Sequence, residues 1–491
     1  ATMPQYLLRF ITERKTASFR FAELDALLEL HGVTGRPYDT DLISSLEDCP
    51  YLVVSLANDD LARAICEDAI LLRDVMEIWG DGETHAACAQ RVVEYDDARK
   101  VQYFDPKYTW SCGVEAYGFS LTFQEQHAVR LPYESAAPFE GKVQLKDPQL
   151  SFRVVERYQA PFEKMRPAAP VWTYFGRVVA TTQRRHLVYE YDLKKRIFLG
   201  PTALDNELAL LMASVSLCRR RSVVLDPFVG TGSILVACAL VGAFCFGADI
   251  DWKVLRGKDL DADDGAMRRR AGLARGTQAA PVETEASDSK KTLFSNFQQY
   301  GLPAPEIVRL DASRFFESWA PANEEVFDAI VTDPPYGIRA GARCTGSAAG
   351  ELVKVVPEHL RADHVPATQP YPVADVIADL LTIAARTLKT GSGRLAYLLP
   401  ATTDFDPAND TPRHPCLELV NACPQPISAK YARWLIVMRK VQPWAPEFAS
   451  PETRAMVKAS ADAPWARLKE KLQEPARGRV GQRPQTTFRE T

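Results

Sequence analysis

The chain has 491 residues, 46% hydrophobic and 25% charged, a composition typical of a globular protein with two or three domains. A net charge of −4 excludes an overall basic nucleic-acid binder, so RNA contact would need local patches or a partner. No apolar run could cross a bilayer and no signal-peptide pattern is present, so we expect no membrane association. Ten cysteines without a C-x-x-C pair predict no metal site and no disulfides, and favour cytosol or nucleus.

The first 80 residues predict a small α+β subdomain. Apolar segments at 6–10 and 51–56 predict strands, and residues 21–31 have helical spacing. A second helix is predicted over 59–75, with Asn58 as its N-cap. Residues 81–170 contain two further strand-like segments, at 108–112 and 150–155, and predict an α+β interaction module.

Residues 171–205 predict a basic linker. A cationic connector between an interaction module and a catalytic sheet suits contacts with RNA phosphates. A solvated charged hairpin explains any single one of these residues equally well. The candidate phosphate contacts in this segment are Arg177, Arg184, Lys195 and Arg196.

A strand, a glycine turn and a helix follow one another at the start of residues 206–440. The apolar strand 222–225 leads into Asp226-Pro227-Phe228-Val229-Gly230-Thr231-Gly232, and a small apolar helix is predicted over 233–241. Such a unit begins a doubly wound, Rossmann-like sheet, in which glycines let a ligand approach the backbone. It lacks the third glycine of the dinucleotide fingerprint, since Leu235 stands there, and it lacks the G-K-[ST] of a phosphate loop.

Carboxylates also end the next strands. The strand 243–248 is followed by Asp249 and Asp251, and the strand 307–310 by Asp311. A carboxylate at the second strand end can bind a ribose diol. Because ligands of open α/β sheets bind at the carboxyl ends of the strands, these residues predict a nucleotide-like cofactor site.

The strand 327–332 runs into Asp333-Pro334-Pro335-Tyr336-Gly337. The two prolines stiffen this loop and remove backbone donors, which leaves outward-facing acceptors. Asp333 and the Pro334 carbonyl can then hold an exocyclic amine on an aromatic base, with Tyr336 stacked on the ring. The alternative is an ordinary proline-rich turn.

The rest of the chain completes the sheet and adds two segments without an assigned role. A helix is predicted over 375–388, with strands at 394–399 and 431–441. The polar stretch 257–291 predicts a flexible insertion. Residues 441–491 predict a tail outside the fold, with one short helix over 464–472.

Together these strings resemble the S-adenosylmethionine-dependent amino-methyltransferases, and more narrowly the catalytic subunit of the tRNA guanosine-10 N2-methyltransferase family. The narrower resemblance rests on Phe139-Glu140-Gly141-Lys142-Val143, on residues 333–339 and on His414-Pro415-Cys416-Leu417-Glu418-Leu419. It implies a THUMP RNA-binding domain within 81–170, S-adenosyl-L-methionine as cofactor and tRNA as substrate. It also implies a heterodimer with a small zinc-binding activator subunit, and a place in the cytoplasm.

The resemblance also assigns roles to residues. The methionine part of the cofactor is expected near Thr202 and residues 226–232, including Pro227, Gly230 and Gly232. The ribose is expected at Asp249, with Asp251 as the weaker candidate, and the adenine at Asp311. Arg339, after the catalytic loop, is a candidate RNA contact, with a salt bridge to the sheet edge as its alternative.

Three other functions share parts of this pattern. A related enzyme could methylate a different RNA guanosine, and a DNA adenine-N6 methyltransferase would share the D-P-P-Y string. A catalytically dead RNA-binding scaffold is the third, but the intact acidic strand ends Asp226, Asp249 and Asp333 argue against it.

Overall fold

The computed structural model describes residues 3–11, 14–39, 49–159, 166–200, 203–251, 254–255, 291–319, 325–336, 341–346 and 367–473. Within them, the first part of the chain forms a six-stranded sheet in the order β2-β1-β3-β6-β5-β4. Its strands are β1 (Gln5–Phe10), β2 (Tyr51–Ser55), β3 (Leu72–Gly82), β4 (Trp110–Ala116), β5 (Leu150–Arg157) and β6 (Trp172–Thr181). Neighbouring strands run antiparallel, except that β4 and β5 run parallel.

Helices pack on this sheet. They are α1 (Arg20–Leu30), α2 (Asp59–Asp68), α3 (His85–Glu94), α4 (Asp97–Lys100), α5 (Phe123–Glu134) and α6 (Arg185–Glu190). Asn58 caps α2 as predicted, since its side chain accepts the Leu61 N–H at 2.9 Å. The prediction of a helix as far as residue 75 is wrong. The apolar run after residue 68 fits either period, and pairing with β1 makes it part of β3.

Two predicted boundaries in this region are also wrong. Residue 80 lies inside β3, so the first 80 residues are not a separate subdomain. Residues 172–181 are not linker, because β6 pairs with β3 on one side and with β5 on the other. The sequence did not predict β6 as a strand because Arg177 interrupts its apolar residues. One sheet therefore extends across both predicted boundaries.

The second part of the chain forms a seven-stranded sheet in the order β14-β15-β13-β10-β7-β8-β9. Its strands are β7 (Val223–Asp226), β8 (Phe244–Asp249), β9 (Glu306–Arg309), β10 (Ala329–Thr332), β13 (Arg394–Thr402), β14 (Leu417–Pro426) and β15 (Tyr431–Lys440). A separate hairpin pairs β11 (Arg343–Thr345) with β12 (Thr368–Pro370). Five neighbouring strands run parallel to one another, in the order β13, β10, β7, β8 and β9, and β15 runs antiparallel to β13. This is the predicted doubly wound sheet.

Helices cover both faces of this sheet. They are α7 (Asn206–Val215), α8 (Ser233–Leu240), α9 (Leu293–Gln299), α10 (Phe315–Ser318), α11 (Val373–Thr387), α12 (Pro407–Asp410) and α13 (Pro451–Gln473). Residues of α7, α8 and α9 join one hydrophobic core and residues of α11 and α13 join another. Each parallel strand can therefore be followed by a crossover, which brings the strands' carboxyl ends to the same edge.

The C-terminal segment packs against the second sheet, so the prediction of a tail outside the fold is wrong as far as residue 473. Helix α13 has 23 residues and includes Pro464, so it is longer than the short helix predicted. Its Val457, Ala461 and Leu468 are buried, and Val457 and Ala461 join the core beneath β13. The sequence did not predict this buried face, because its apolar residues are widely spaced among charged ones. No helix in the described part of the chain has the length and apolarity that a bilayer requires.

The N-terminal unit is fixed to the catalytic sheet. Helices α1 and α7 contribute to one shared hydrophobic core. Ser18 Oγ donates to the Pro424 carbonyl of β14 at 2.6 Å, and Arg394 at the start of β13 forms an ion pair with Glu29 of α1. The N-terminal unit therefore packs on the seven-stranded sheet at β14, away from β9.

Candidate active site

Four carboxylates meet at one edge of the seven-stranded sheet. Asp226 ends β7 and Asp249 ends β8, while Asp311 and Asp333 follow β9 and β10 within two residues. These strands are neighbours in the order β10-β7-β8-β9. The acidic residues that the sequence singled out are thus brought together by the strand order.

The glycine turn after β7 has the backbone that the sequence required. Gly230 has φ of +50° and Gly232 has φ of +80°, a region that other residues rarely adopt. A Cβ on Gly232 would also come within 2.9 Å of Leu293 Cδ1. Both glycines are needed to lead β7 into α8, and buried Pro227 stiffens the start of the turn.

Asp226 is the most buried of the four carboxylates, with 1% of its surface exposed. Its Oδ1 accepts the Thr332 hydroxyl at 2.6 Å and the Phe228 N–H at 3.0 Å. Burial raises the pKa of Asp226 to about 7, although both hydrogen bonds lower it. Asp226 can therefore change its charge near neutral pH. A bound cationic ligand would favour the ionised form and so lower this pKa.

Asp249 connects the end of β8 to the glycine turn. Its Oδ2 accepts the Gly230 N–H at 2.9 Å and its Oδ1 accepts the Asp251 N–H at 2.8 Å. Burial raises the pKa of Asp249, and these backbone hydrogen bonds oppose the rise. Each carboxylate oxygen keeps a second lone pair, which a ribose hydroxyl can use. Asp251 is exposed, so Asp249 is the better placed of the two.

Asp311 lies under the hairpin of β11 and β12. Its Oδ1 accepts the Ser313 N–H at 2.9 Å and the Ser313 hydroxyl at 2.7 Å, and its Oδ2 accepts the Thr345 N–H of β11 at 2.5 Å. Burial raises the pKa of Asp311, but these hydrogen bonds outweigh it and hold that pKa below its ordinary value. Asp311 is therefore ionised and partly engaged in fixing the hairpin.

The loop after β10 carries Asp333, Pro334, Pro335 and Tyr336. Asp333 is half-buried, and its Oδ1 accepts the Tyr336 hydroxyl at 2.8 Å. The same hydroxyl contacts the Leu398 carbonyl of β13, while the half-buried Tyr336 ring packs against the core. Burial raises the pKa of Asp333, whereas the charge of Arg433 and the Tyr336 hydroxyl lower it.

Arg433 is a member of this site that sequence reasoning missed. It lies on β15, two strands from β10, and no motif or spacing in the sequence connects it with Asp333. Its Nε and Nη2 donate to Gln425 Oε1 of β14 at 3.0 and 2.6 Å. Only the strand order relates Arg433 to Asp333.

Two family profiles match the chain, the Tmrp11 THUMP N-terminal domain over residues 4–184 and the RMKL-like methyltransferase domain over residues 194–354. Human tRNA (guanine(10)-N(2))-methyltransferase TRMT11 is 35% identical over 448 residues, 90% of this chain and 89% of that protein. The Dictyostelium discoideum relative of that name is 31% identical over 455 residues, 89% of this chain and 82% of its own. Among solved structures, TrmN from Thermus thermophilus aligns with 89% of this chain and 100% of its own, at 16% identity and a TM-score of 0.37. The chain belongs to the tRNA (guanine(10)-N(2))-methyltransferase family.

Membership in this family confirms the resemblance, the methyltransferase fold and the THUMP region. The cofactor of this methyltransferase family is S-adenosyl-L-methionine. The residues at the sheet edge fit that cofactor, because carboxylates at three neighbouring strand ends suit an ammonium, a ribose diol and an adenine amine. The glycine turn lets the ligand approach the backbone closely.

Two of the predicted RNA contacts in this family member are buried and cannot meet a phosphate. Arg177, 6% exposed, forms ion pairs with Asp59 and Glu77 inside the first unit. Arg196, 0% exposed, donates to Ser233 Oγ at 2.8 Å at the start of α8. A buried charged side chain is stabilised by its ion-pair or hydrogen-bond partners. Because these partners are distant in the sequence, Arg177 and Arg196 looked like exposed charges.

The other predicted RNA contacts differ in their exposure to solvent. Arg184 is half-buried and forms an ion pair with Asp68 at 2.6 Å, whereas Lys195 is exposed. Thr202 and Arg339 lie outside the described residues. No cluster of metal-ligating side chains occurs in the described ranges, and all ten cysteines are free.

Proposed function

We propose that this chain transfers a methyl group from S-adenosyl-L-methionine to the exocyclic N2 of guanosine 10 in tRNA. The observation that carries the proposal is the acceptor loop of Asp333 and Pro334, next to the acidic ends of β7 and β8 in the strand order. The relatives that match most of the chain are named for this reaction.

The catalytic loop supplies acceptors for the two hydrogens of the target amine. The Asp333 carboxylate accepts one and the Pro334 carbonyl accepts the other, which directs the nitrogen lone pair toward the methyl donor. Pro334 and Pro335 have no N–H that could compete for these acceptors. The Tyr336 hydroxyl contacts Asp333 and the Leu398 carbonyl, which fixes the ring in place. This fixed ring would stack on the guanine.

When bound, S-adenosyl-L-methionine would supply the electrophilic methyl group of its sulfonium to the N2 lone pair, with the neutral thioether as leaving group. The surplus proton of the methylated nitrogen passes to the Asp333 carboxylate and then to solvent. Asp226, Pro227, Gly230 and Gly232 would hold the methionine end. The resemblance also assigns Thr202, which lies outside the described residues, to that end of the cofactor. Asp249 would bind the ribose, and Asp311 the adenine edge. The protein contributes mainly orientation and electrostatic placement.

Guanine has to leave its stacked helix before its N2 can reach this loop, because the amine is inaccessible within stacked pairs. The N-terminal unit would bind the tRNA and place the target over the sheet edge. Lys195, exposed between the two units, and Arg184 remain candidate phosphate contacts, and Arg339 follows the catalytic loop. Arg177 and Arg196 are withdrawn from this role because they are buried.

We also propose a small zinc-binding activator subunit as partner, docked at an edge of the seven-stranded sheet. The apolar strand β8 is internal, since it pairs with β7 and β9. Among the described residues, β9 is the edge strand on that side, and its Val308 is 47% exposed. Such an edge suits pairing with a strand of a partner.

A cytoplasmic location accompanies this proposal. Ten free cysteines, most of them buried, suit a reducing compartment. Fluorescent tagging and fractionation would test it, and an exclusively organellar signal would contradict it.

Methyl transfer to defined RNAs tests the proposed reaction. Purified enzyme with its partner would be incubated with labelled cofactor and tRNA, and the nucleosides analysed by mass spectrometry. We expect N2-methylguanosine from tRNA with guanosine 10, and none when adenosine replaces that guanosine. Label in another guanosine, or N6-methyladenine in DNA, would identify a different substrate, and no label with any nucleic acid would leave only a binding scaffold.

A further inference from the structure

Arg433 and Asp333 lie on the same face of the seven-stranded sheet. Along β15, Leu435 and Val437 belong to the core beneath α7 and α8, so Arg433, two positions before Leu435, points to that face. Along β10, Ala329 and Val331 belong to the same core, which places Asp333 on that face too.

The register of β13 places the two residues two positions apart across the sheet. Thr332, one residue before Asp333, pairs with Tyr397 of β13, and Arg433 pairs with Pro400 of β13. Between them lies the Leu398 carbonyl that the Tyr336 hydroxyl contacts. An arginine side chain is long enough to act across one intervening strand, since neighbouring strands lie about 4.8 Å apart.

Gln425 fixes the guanidinium without neutralising it. It lies opposite Arg433 in the register of β14 and β15, and its Oε1 accepts two N–H groups of Arg433. The acceptor is an uncharged amide, and within the described ranges Arg433 forms no ion pair. Its positive charge is therefore directed at the catalytic loop, where Asp333 is the carboxylate on which it acts.

We propose that Arg433 is a positioning residue for methyl transfer, held by Gln425, and that its charge favours the form of the Asp333 carboxylate that accepts the target amine. The proposal rests on the proposed function of the loop. It gives β14 and β15 a part in the chemistry, although neither strand carries a recognisable motif.

The other groups around Asp333 cannot replace this cation. From its own loop, the Tyr336 hydroxyl donates a hydrogen bond but carries no charge. From β7, Asp226 is a second carboxylate, and its negative charge disfavours ionisation of Asp333. From β13, Tyr397 is fully buried, and burial raises its pKa, so it stays neutral. Burial itself raises the pKa of Asp333.

The pH dependence of single-turnover methylation tests the proposal with the full chain and its partner. For Arg433→Gln we expect the acid limb of the rate profile to move to higher pH, with about a tenfold loss of rate on that limb. Arg433→Lys keeps the charge and should restore most of the profile. Arg439→Gln on the same strand, whose partner is the exposed Glu418, is the matched control and should match the wild type. A wild-type acid limb in Arg433→Gln, with a raised KM for tRNA, would make Arg433 a phosphate contact and overturn the proposal.

A second measurement does not depend on activity. If Arg433 stabilises ionised Asp333, the stability lost in Arg433→Gln grows as pH rises through the folded pKa of Asp333. Thermal unfolding across pH should show this growth in the wild-type background and not in an Asp333→Asn background. An equal loss in both backgrounds would overturn the proposal even for an enzyme with another substrate. Gln425→Leu, which frees the guanidinium, should show the same trend if Arg433→Gln does not fold.

Discussion

Thr332 Oγ1 donates a hydrogen bond to Asp226 Oδ1 at 2.6 Å, and this bond joins the two motifs of the active site. Asp226 begins the glycine turn that faces the cofactor, while Thr332 is the residue immediately before Asp333. Both side chains are buried, so water cannot replace the bond. The position of the catalytic loop is thereby coupled to the position of the cofactor turn.

Replacing Thr332 with valine should weaken cofactor binding. The isosteric change removes one hydrogen bond from a buried carboxylate, which costs about 1.5–3 kcal/mol when that carboxylate is ionised. It also raises the pKa of Asp226 further, so less of it is ionised at neutral pH. Calorimetry with S-adenosyl-L-methionine should show a roughly tenfold higher Kd. Thr387→Val, a buried threonine bonded to its own helix, is the control and should bind normally.

Cofactor affinity should increase with pH around neutrality. Burial raises the pKa of Asp226 to about 7. In the proposed site, the ionised form would pair with the cofactor's ammonium. Between about pH 6 and 7.5 the ionised fraction increases up to about eightfold, so Kd should fall by a similar factor. Asp226→Asn should bind more weakly and lose this dependence. An identical slope in Asp226→Asn would assign the titration to another group.

Asp249→Ala should raise the cofactor Kd strongly, because the ribose hydroxyls lose their acceptor and the Gly230 N–H loses its partner. Asp251→Ala, two residues away and exposed, is the matched comparison and should change affinity only slightly. If Asp251→Ala has the larger effect in titration calorimetry, the ribose contact belongs to Asp251.

The active-site edge could be predicted from the sequence because each part is local. A strand, its terminal carboxylate and a glycine turn lie within a few residues, as in residues 223–232, and strand order follows from crossover rules. Gly230 and Gly232 adopt the positive φ that their positions required.

What depends on distant contacts could not be predicted. Arg177 and Arg196 looked like surface charges, because the carboxylates and polar groups that hold them come from other elements. Arg433 and Asp333 are a hundred positions apart, and only the register of β10, β13 and β15 relates them. Helix α13 was predicted only over 464–472, and its packing was not predicted, because its buried residues, Val457, Ala461 and Leu468, are separated by charged ones.

Asp333→Asn should abolish methyl transfer and leave cofactor affinity nearly unchanged, since Asp333 faces the target amine. Loss of such a transition-state contact costs on the order of 100-fold or more in rate. Asp404→Asn, an exposed carboxylate after β13, should retain full activity. Single-turnover assays with labelled cofactor measure both, and an Asp333→Asn rate within a few-fold of wild type would remove Asp333 from the mechanism.

The activator subunit should dock on β9, and a charge there should prevent it. Val308 is 47% exposed on this edge strand, so Val308→Asp places a carboxylate in the proposed interface while disturbing little within the chain. We expect the wild-type chain to need co-expression with the partner for solubility and activity, and Val308→Asp to lose co-purification. Val143→Asp, 54% exposed in the N-terminal unit, should still co-purify. A wild-type chain that is monomeric and fully active alone, or a Val308→Asp variant that retains the partner, would show that β9 is not the interface.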